Sequence, residues 1–302
     1  MSSSDGPNLV TIGIPTYNRP DGLRKTLECM TQQSYSNLEI IVSDNCSPDP
    51  AVQKVVQEFA KADPRIHYYR RETNFGSIPN FIFLLEKAKG DFFMWAADDD
   101  EWDLDFIERM LKPLIEPNSK FVAAVSEAQY MVDGVRCEFV REGEAFSNFT
   151  SDEPFKRIRQ VIMHSYGNLL YSLFRTKVIQ DVQLGFYRNR QLYFNEIPLL
   201  IHVAQNGNWL VSSEIGWIKR TRMGVFNGVL WENGHLRKNA MPKGRFIRRS
   251  FGTAIYHLIT LTAVCMEIDR LRVRKSEKLR LKALSSGRLA KHTLEVITGT
   301  KI

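Results

Sequence analysis

Four times in its first 114 residues the chain passes from a short apolar, β-branched stretch into one whose apolar residues recur at helical spacing. Leu9–Ile14, Leu38–Ser43, Ile66–Arg71 and Asp91–Ala97 predict strands. Asp21–Gln33, with Leu23, Leu27 and Met30 on one face, predicts a helix, as do Ala51–Ala62, Ile78–Lys89 and Asp103–Leu114. Such alternation confines the chain to βαβ units: an α/β fold with a mostly parallel sheet flanked by helices. In such sheets ligands bind beyond the carboxyl ends of the strands. The polar residues just past these four strands are Thr16-Tyr17-Asn18-Arg19, Asp44-Asn45, Asn74 with Gly76, and Asp98-Asp99-Asp100. Four polar clusters therefore fall where one crevice is expected.

Beyond residue 114 the pattern is mixed. Phe121–Tyr130 and Val135–Val140 predict a hairpin around Asp133-Gly134. Pro154–Met163 predicts a helix, Leu169–Phe174 a strand, Asn195–Gln205 a helix closed by Asn206-Gly207, and Trp209–Ile218 a strand. Arg220–Pro242 has the composition of a polar, Gly- and Asn-rich loop. Two helices, about Arg245–Arg274 and Ser276–Val296, follow it.

At 302 residues, 43% of them hydrophobic, the chain can bury a core without a disulfide or metal staple. Its cysteines, Cys29, Cys46, Cys137 and Cys265, lie far apart with no zinc spacing. The polar stretch Met1–Pro7 lacks a charged-then-apolar leader pattern. Both features point to a reduced, cytoplasmic setting. Charge is unevenly placed: from Arg237 onward 16 Lys/Arg face 4 Asp/Glu, a balance of +12, against −5 for residues 1–236. A basic tail is either a solvated face or a site for a polyanion.

Asp98-Asp99-Asp100 directly follows an apolar strand, so the triad is not a solvated run. Clustered carboxylates repel unless a cation screens them, and hard oxygens suit Mn²⁺ or Mg²⁺. Asp44 can accept a hydrogen bond from the N3–H of uracil or thymine, which neutral cytosine lacks; equally, Asp44–Pro48 is Asx-turn chemistry.

The segment VTIGIPTYNRPDGLRKTLECMTQQSYSNLEIIVSDNCSPD resembles the opening of the family 2 glycosyltransferases, and NFGSIPNFIFLLEKAKGDFFMWAADDDEW resembles their second signature block. The likeness is good from about Val10 to Leu114, thinner to about Arg222, and does not extend to the tail. It implies an inverting enzyme of GT-A fold that moves a sugar from a nucleoside-diphosphate donor to an acceptor hydroxyl, of the kind that builds bacterial cell-surface polysaccharides. On that basis Pro15, Thr16, Tyr17 and Arg19 would line the nucleotide pocket with Asp44, Asn74, Gly76 and Asp98. Pro79-Asn80 stands where the family commonly has Arg-Asn. Aligned on Trp102, the family's Asp-x-Asp-Asp becomes Ala97-Asp98-Asp99-Asp100. Asp99 is then the metal ligand, Asp98 a ribose or second metal contact, and Asp100 a further ligand or the cap of the next helix. Asn195-Glu196-Ile197-Pro198-Leu199 has the shape of the family's acidic pair before a helix, which makes Glu196 the catalytic base; a plain helix-start glutamate is the competing assignment.

The resemblance divides the chain into a GT-A domain over residues 1–242, with a nucleotide-sugar-binding half (1–114) and an acceptor-side half (115–242), and a basic helical extension over 243–302. Phe251–Met266 is apolar for only 16 residues, short of a bilayer span. It predicts a buried core helix or, alternatively, a helix on an anionic membrane surface, which would place the protein peripherally at the inner face. The expected partners are a nucleotide-sugar donor and a glycan or lipid-linked acceptor, not nucleic acid. Two other classes stay open: a nucleotide-sugar-binding subunit without turnover, because of Ala97 and Asn195, and a nucleic-acid binder acting through the tail.

Overall fold

The structure is a computed structural model, and it describes residues 7–139, 149–164, 167–182, 196–221, 229–232, 235–238, 261–262 and 264–298. Its first four strands are β1 (Val10–Thr16), β2 (Leu38–Asp44), β3 (Ile66–Arg70) and β4 (Phe92–Trp95). They lie parallel in the order β3-β2-β1-β4. Between them run α1 (Pro20–Thr31), α2 (Pro50–Ala62) and α3 (Ser77–Lys87). All seven residues of β1 and of β2 are buried, as expected for central parallel strands covered on both faces.

The remaining strands extend this sheet. β5 (Glu101–Trp102) precedes α4 (Phe106–Ile115), which leads into β6 (Phe121–Val132) and β7 (Val135–Phe139). After α5 (Pro154–His164) and a 3-10 turn at Gly167–Tyr171, β8 (Leu173–Arg175) fits antiparallel between β4 and β6. α6 (Thr176–Gln180) and α7 (Ile197–Asn206) precede β9 (Asn208–Thr221), which runs parallel to β6 through three shifts of register. β10 (Val229–Glu232) and β11 (His235–Lys238) add a hairpin beside β7. The C-terminal helix is α8 (Lys275–Thr298).

Strand alternation divides the core between two faces. Val10, Ile12, Ile14, Ile40, Val42 and Met94 meet the apolar faces of α1, α2 and α4. Phe93 and Trp95, pointing the other way, meet α3, α5 and α7. Val264, Ile268, Leu271 and Leu281, from the C-terminal stretch, are buried in this second cluster.

The structure departs from expectation in two places. Leu169–Phe174, expected to be a strand, is mostly a 3-10 turn, and the strand is only Leu173–Arg175. The expected loop Arg220–Pro242 begins with the end of β9 and contains the β10–β11 hairpin; its other residues, Arg222 included, lie outside the described ones. Most of the predicted helix Arg245–Arg274 also lies outside them, but residues 264–270 are helical. No helix among the described residues is long and apolar enough to cross a membrane.

Candidate active site

Register brings the carboxyl ends of the strands to one level. Thr16 pairs with Asp44 across β1–β2, and Asp44 with Arg70 across β2–β3. Asp98 lies just past β4, beside Thr16, whose Oγ1 donates to Asp98 Oδ2 at 2.8 Å. The polar clusters therefore meet at the strand ends, where the crevice is expected.

Asp44 is buried and held on both oxygens. Oδ1 accepts the Ser47 N–H at 2.8 Å, closing an Asx turn, and Oδ2 accepts the Tyr68 hydroxyl at 2.9 Å. Asn45, also buried, ties this turn to the next loop: its Nδ2 donates to Asn74 Oδ1 at 2.7 Å and to the Gly76 carbonyl at 3.1 Å. Gly76 has φ +88°, a conformation that side-chain-bearing residues rarely adopt. Asn80 lies in the first turn of α3, where its amide exchanges hydrogen bonds with Ser43 at 2.6 and 2.9 Å. Tyr17 is 44% exposed at the mouth of the crevice, while Pro15 is buried in β1.

The acidic loop is clamped from α1. Thr26 Oγ1 donates to the carbonyls of Ala97 and Asp100, each at 3.0 Å. Gly22 lies so close that a Cβ there would sit 2.5 Å from the Asp98 carbonyl oxygen. Asp98 and Asp99 converge on one guanidinium: Arg19 NH1 is 3.0 Å from Asp98 Oδ1 and 2.8 Å from Asp99 Oδ2. Asp100 does not share Arg19. Its buried carboxylate accepts the backbone N–H of Arg220 at 2.8 Å, and the cap position of α4 is Asp105. Burial, then the neighbouring Asp99, push the Asp100 carboxyl up to about 7. Burial also raises Asp98, against the pull of Arg19.

Glu196 immediately precedes α7 and makes no side-chain capping bond, so its carboxylate is not spent on the helix. Burial raises it above an ordinary glutamate, while a hydrogen bond from its own backbone N–H, then Lys219 and Arg288, pull it down. Lys219, on β9, lies in the field of Asp100, Glu196 and Asp99. Its ammonium donates to Asn168 Oδ1 at 2.9 Å and stands 5.0 Å from the Tyr171 ring centre. Tyr171 feels all three loop aspartates and Glu196, and burial is the main reason its hydroxyl holds its proton so firmly. The acidic loop and Glu196 thus share one electrostatic neighbourhood, bridged by Lys219 and Tyr171. Asn195 lies outside the described residues.

Sequence reasoning missed Tyr68, Thr26, Asn168, Tyr171 and Lys219. Tyr68 was detectable in principle, because pairing β3 beside β2 sets it opposite Val42, two residues before Asp44. Lys219 carried no local signal.

Among the described residues no three His, Cys, Asp or Glu side chains form a ready-made metal cage. The donor set nonetheless fits a hard divalent cation. Two carboxylates already converge on one positive group, and Mg²⁺-type sites commonly pair one or two carboxylates with substrate phosphates.

The curled, mostly parallel sheet with an acidic loop at its carboxyl edge has the GT-A fold. The chain belongs to the family described as Glycosyl transferase family 2, whose model matches residues 11–169, more than half of it. It is 32% identical over 113 residues to TuaG of Bacillus subtilis, a glycosyltransferase named for teichuronic acid biosynthesis, covering 37% of this chain and 44% of that one. It is 26% identical over 212 residues to the GalNAc(5)-diNAcBac-PP-undecaprenol beta-1,3-glucosyltransferase of Campylobacter jejuni, covering 68% of this chain and 62% of that one. The chain thus spans less than two thirds of the length of either relative. The S. aureus TarS 1-349 crystal structure in complex with UDP-GlcNAc superposes with a TM-score of 0.65 at 17% identity, over 93% of this chain and 72% of that one.

Proposed function

We propose that this chain is an inverting glycosyltransferase that moves a sugar from a UDP- or dTDP-sugar to a hydroxyl of a cell-surface glycan or lipid-linked oligosaccharide. The observation that carries this is the pair Asp98–Asp99, with Asp98 tethered to Thr16 at the carboxyl ends of the strands, in the same electrostatic neighbourhood as the carboxylate of Glu196, which does not cap its helix. The acceptor class is supported by the names of the two relatives, and a uridine donor by the ligand of the TarS complex.

The residues divide the work. Asp44, at the end of β2, and exposed Tyr17 receive the base, with Asn74, Gly76 and Thr16 shaping the pocket floor. Asp99, with Asp98, would hold Mn²⁺ or Mg²⁺; the ion, when bound, neutralises charge on the diphosphate leaving group. Glu196 takes the proton of the acceptor hydroxyl as its oxygen attacks the anomeric carbon from the face opposite the diphosphate. One displacement inverts that carbon and needs no covalent glycosyl-enzyme. The C-terminal segment supports packing: Val264, Ile268 and Leu281 point into the core, which favours the buried helix over one lying on an anionic membrane.

The test is a thermal-shift screen of nucleotide sugars with Mn²⁺, followed by NMR of the transferred sugar. A UDP- or dTDP-sugar should raise the unfolding temperature by mass action, about 2.7 kcal/mol of stabilisation at 100 times Kd. The product should have the opposite anomeric configuration to the donor. Retained configuration, or stabilisation without any turnover on glycan acceptors, would overturn the assignment.

A further inference from the structure

Arg19 is built unlike an ordinary surface arginine. Its backbone is fixed, because its carbonyl accepts the Leu23 N–H at 3.0 Å at the start of α1. Its side chain is 57% exposed and is held at the tip, where one nitrogen lies 3.0 Å from Asp98 Oδ1 and 2.8 Å from Asp99 Oδ2. The carboxylates do not depend equally on it. Asp98 is tethered independently by Thr16 at 2.8 Å, and the loop backbone by Thr26 at 3.0 Å. Taking Arg19 away would leave Asp98 anchored by Thr16, Asp99 held through the loop backbone, and the site one positive charge short.

We propose that Arg19 is an internal counterion, occupying the position between Asp98 and Asp99 that a divalent ion takes, and that it must swing out before the ion enters. The inference rests on the metal role proposed above for Asp99. The chemistry is competitive: the guanidinium fills the space between the two carboxylates, 2.8–3.0 Å from an oxygen of each, and a second cation held by the same pair would meet its positive charge at close range. Displacement is inexpensive because two partly exposed ion pairs are each worth only about 0.2–1 kcal/mol. Once out, the guanidinium is free to meet the donor's diphosphate, whose oxygens match its fork of N–H groups. Arg19 thereby couples ion entry to donor arrival. It is a positioning residue that holds the acidic loop neutralised until the donor comes.

The experiment titrates Mn²⁺ into the full chain and follows the free ion by electron paramagnetic resonance, with and without UDP. Wild type, Arg19→Met, Arg19→Lys and Asp99→Asn are compared. Without UDP, Arg19→Met should bind Mn²⁺ roughly two- to thirtyfold more tightly than wild type, the combined worth of two such ion pairs. Arg19→Lys should fall between them. UDP should strengthen Mn²⁺ binding more in wild type than in Arg19→Met, because only wild type has a guanidinium to hand over. A surface arginine with a merely structural role would leave Mn²⁺ affinity unchanged. Affinity in Arg19→Met equal to or weaker than wild type, with Asp99→Asn impaired, overturns the counterion inference and leaves the metal site standing. Absence of Mn²⁺ binding in wild type and Arg19→Met alike, with UDP present, overturns the metal role and the inference with it.

Discussion

Glu196 must be ionised to accept a proton, yet burial holds its carboxyl above the usual glutamate value of about 4.3. Transfer should therefore rise with pH through a midpoint above that value. Lys219 favours the charged carboxylate, so Lys219→Met should move the midpoint higher still, and kcat measured against pH checks both. Glu196→Gln, nearly isosteric, should lower turnover by roughly 10²–10⁴ while donor affinity stays within a fewfold. At the other end of the crevice, Asp44→Asn keeps an oxygen for the Ser47 N–H but turns the second atom from acceptor to donor. UDP should bind better than CDP in wild type, and calorimetry should find that gap narrowed in the variant; equal wild-type affinities would count against the base contact. The residues legible in the sequence were those that follow a strand: Thr16, Asp44 and Asp98 sit there because parallel strands end together. Asp100 shows the limit of that signal. Adjacency in sequence implied shared chemistry, whereas the backbone turns its carboxylate to Arg220, 120 positions away.

The element that sets the geometry of the acidic loop is α1. Its first turn touches the loop backbone at Gly22, and its second reaches it through Thr26. Gly22→Ala would place a Cβ 2.5 Å from the Asp98 carbonyl oxygen, so helix and loop must part. Overpacking of this kind costs about 1–3 kcal/mol, and the strain falls on Asp98 and Asp99. Mn²⁺ and donor affinity should both drop about tenfold or more, with a cooperative unfolding transition retained; unchanged donor affinity would show that α1 does not set the loop. The βαβ periodicity made this half readable because each strand and helix answers to a local pattern. The second half was less so. β5 has two residues, and its place is decided by the stacking of Trp102 on Trp217, rings 5.7 Å apart and nearly parallel. The turn at Gly167–Tyr171 is apolar enough to read as strand, but Asn168 and Tyr171 serve the site rather than a ladder.

Across the whole molecule, the split in charge along the sequence is not a split in packing. The segment that carries the +12 balance returns to the body. His202 of α7 meets Glu267 at 3.1 Å, and Arg288 of α8 donates to the Ile162 carbonyl in the last turn of α5. Leu281, Ser285 and Leu289 form a buried stripe four residues apart along α8, with Leu281 fully buried in the cluster that also holds Ile158, Val161 and Leu200. Composition marked this tail as basic but could not tell which face its apolar residues would choose, because a stripe suited to α5 is equally suited to a membrane surface. The two alternatives differ in what one substitution does. Leu281→Ala removes about three buried carbons, and if α8 is part of the core this costs about 2–5 kcal/mol. At about 2–4 °C per kcal/mol for a chain somewhat smaller than this one, the main unfolding transition should fall by at least several degrees and remain single. Leu279→Ala, two residues earlier and 63% exposed, should leave the transition within about 1 °C. If α8 instead melted by itself, Leu281→Ala would leave the main transition in place and add a small early one, and calorimetry of the two variants side by side separates these outcomes.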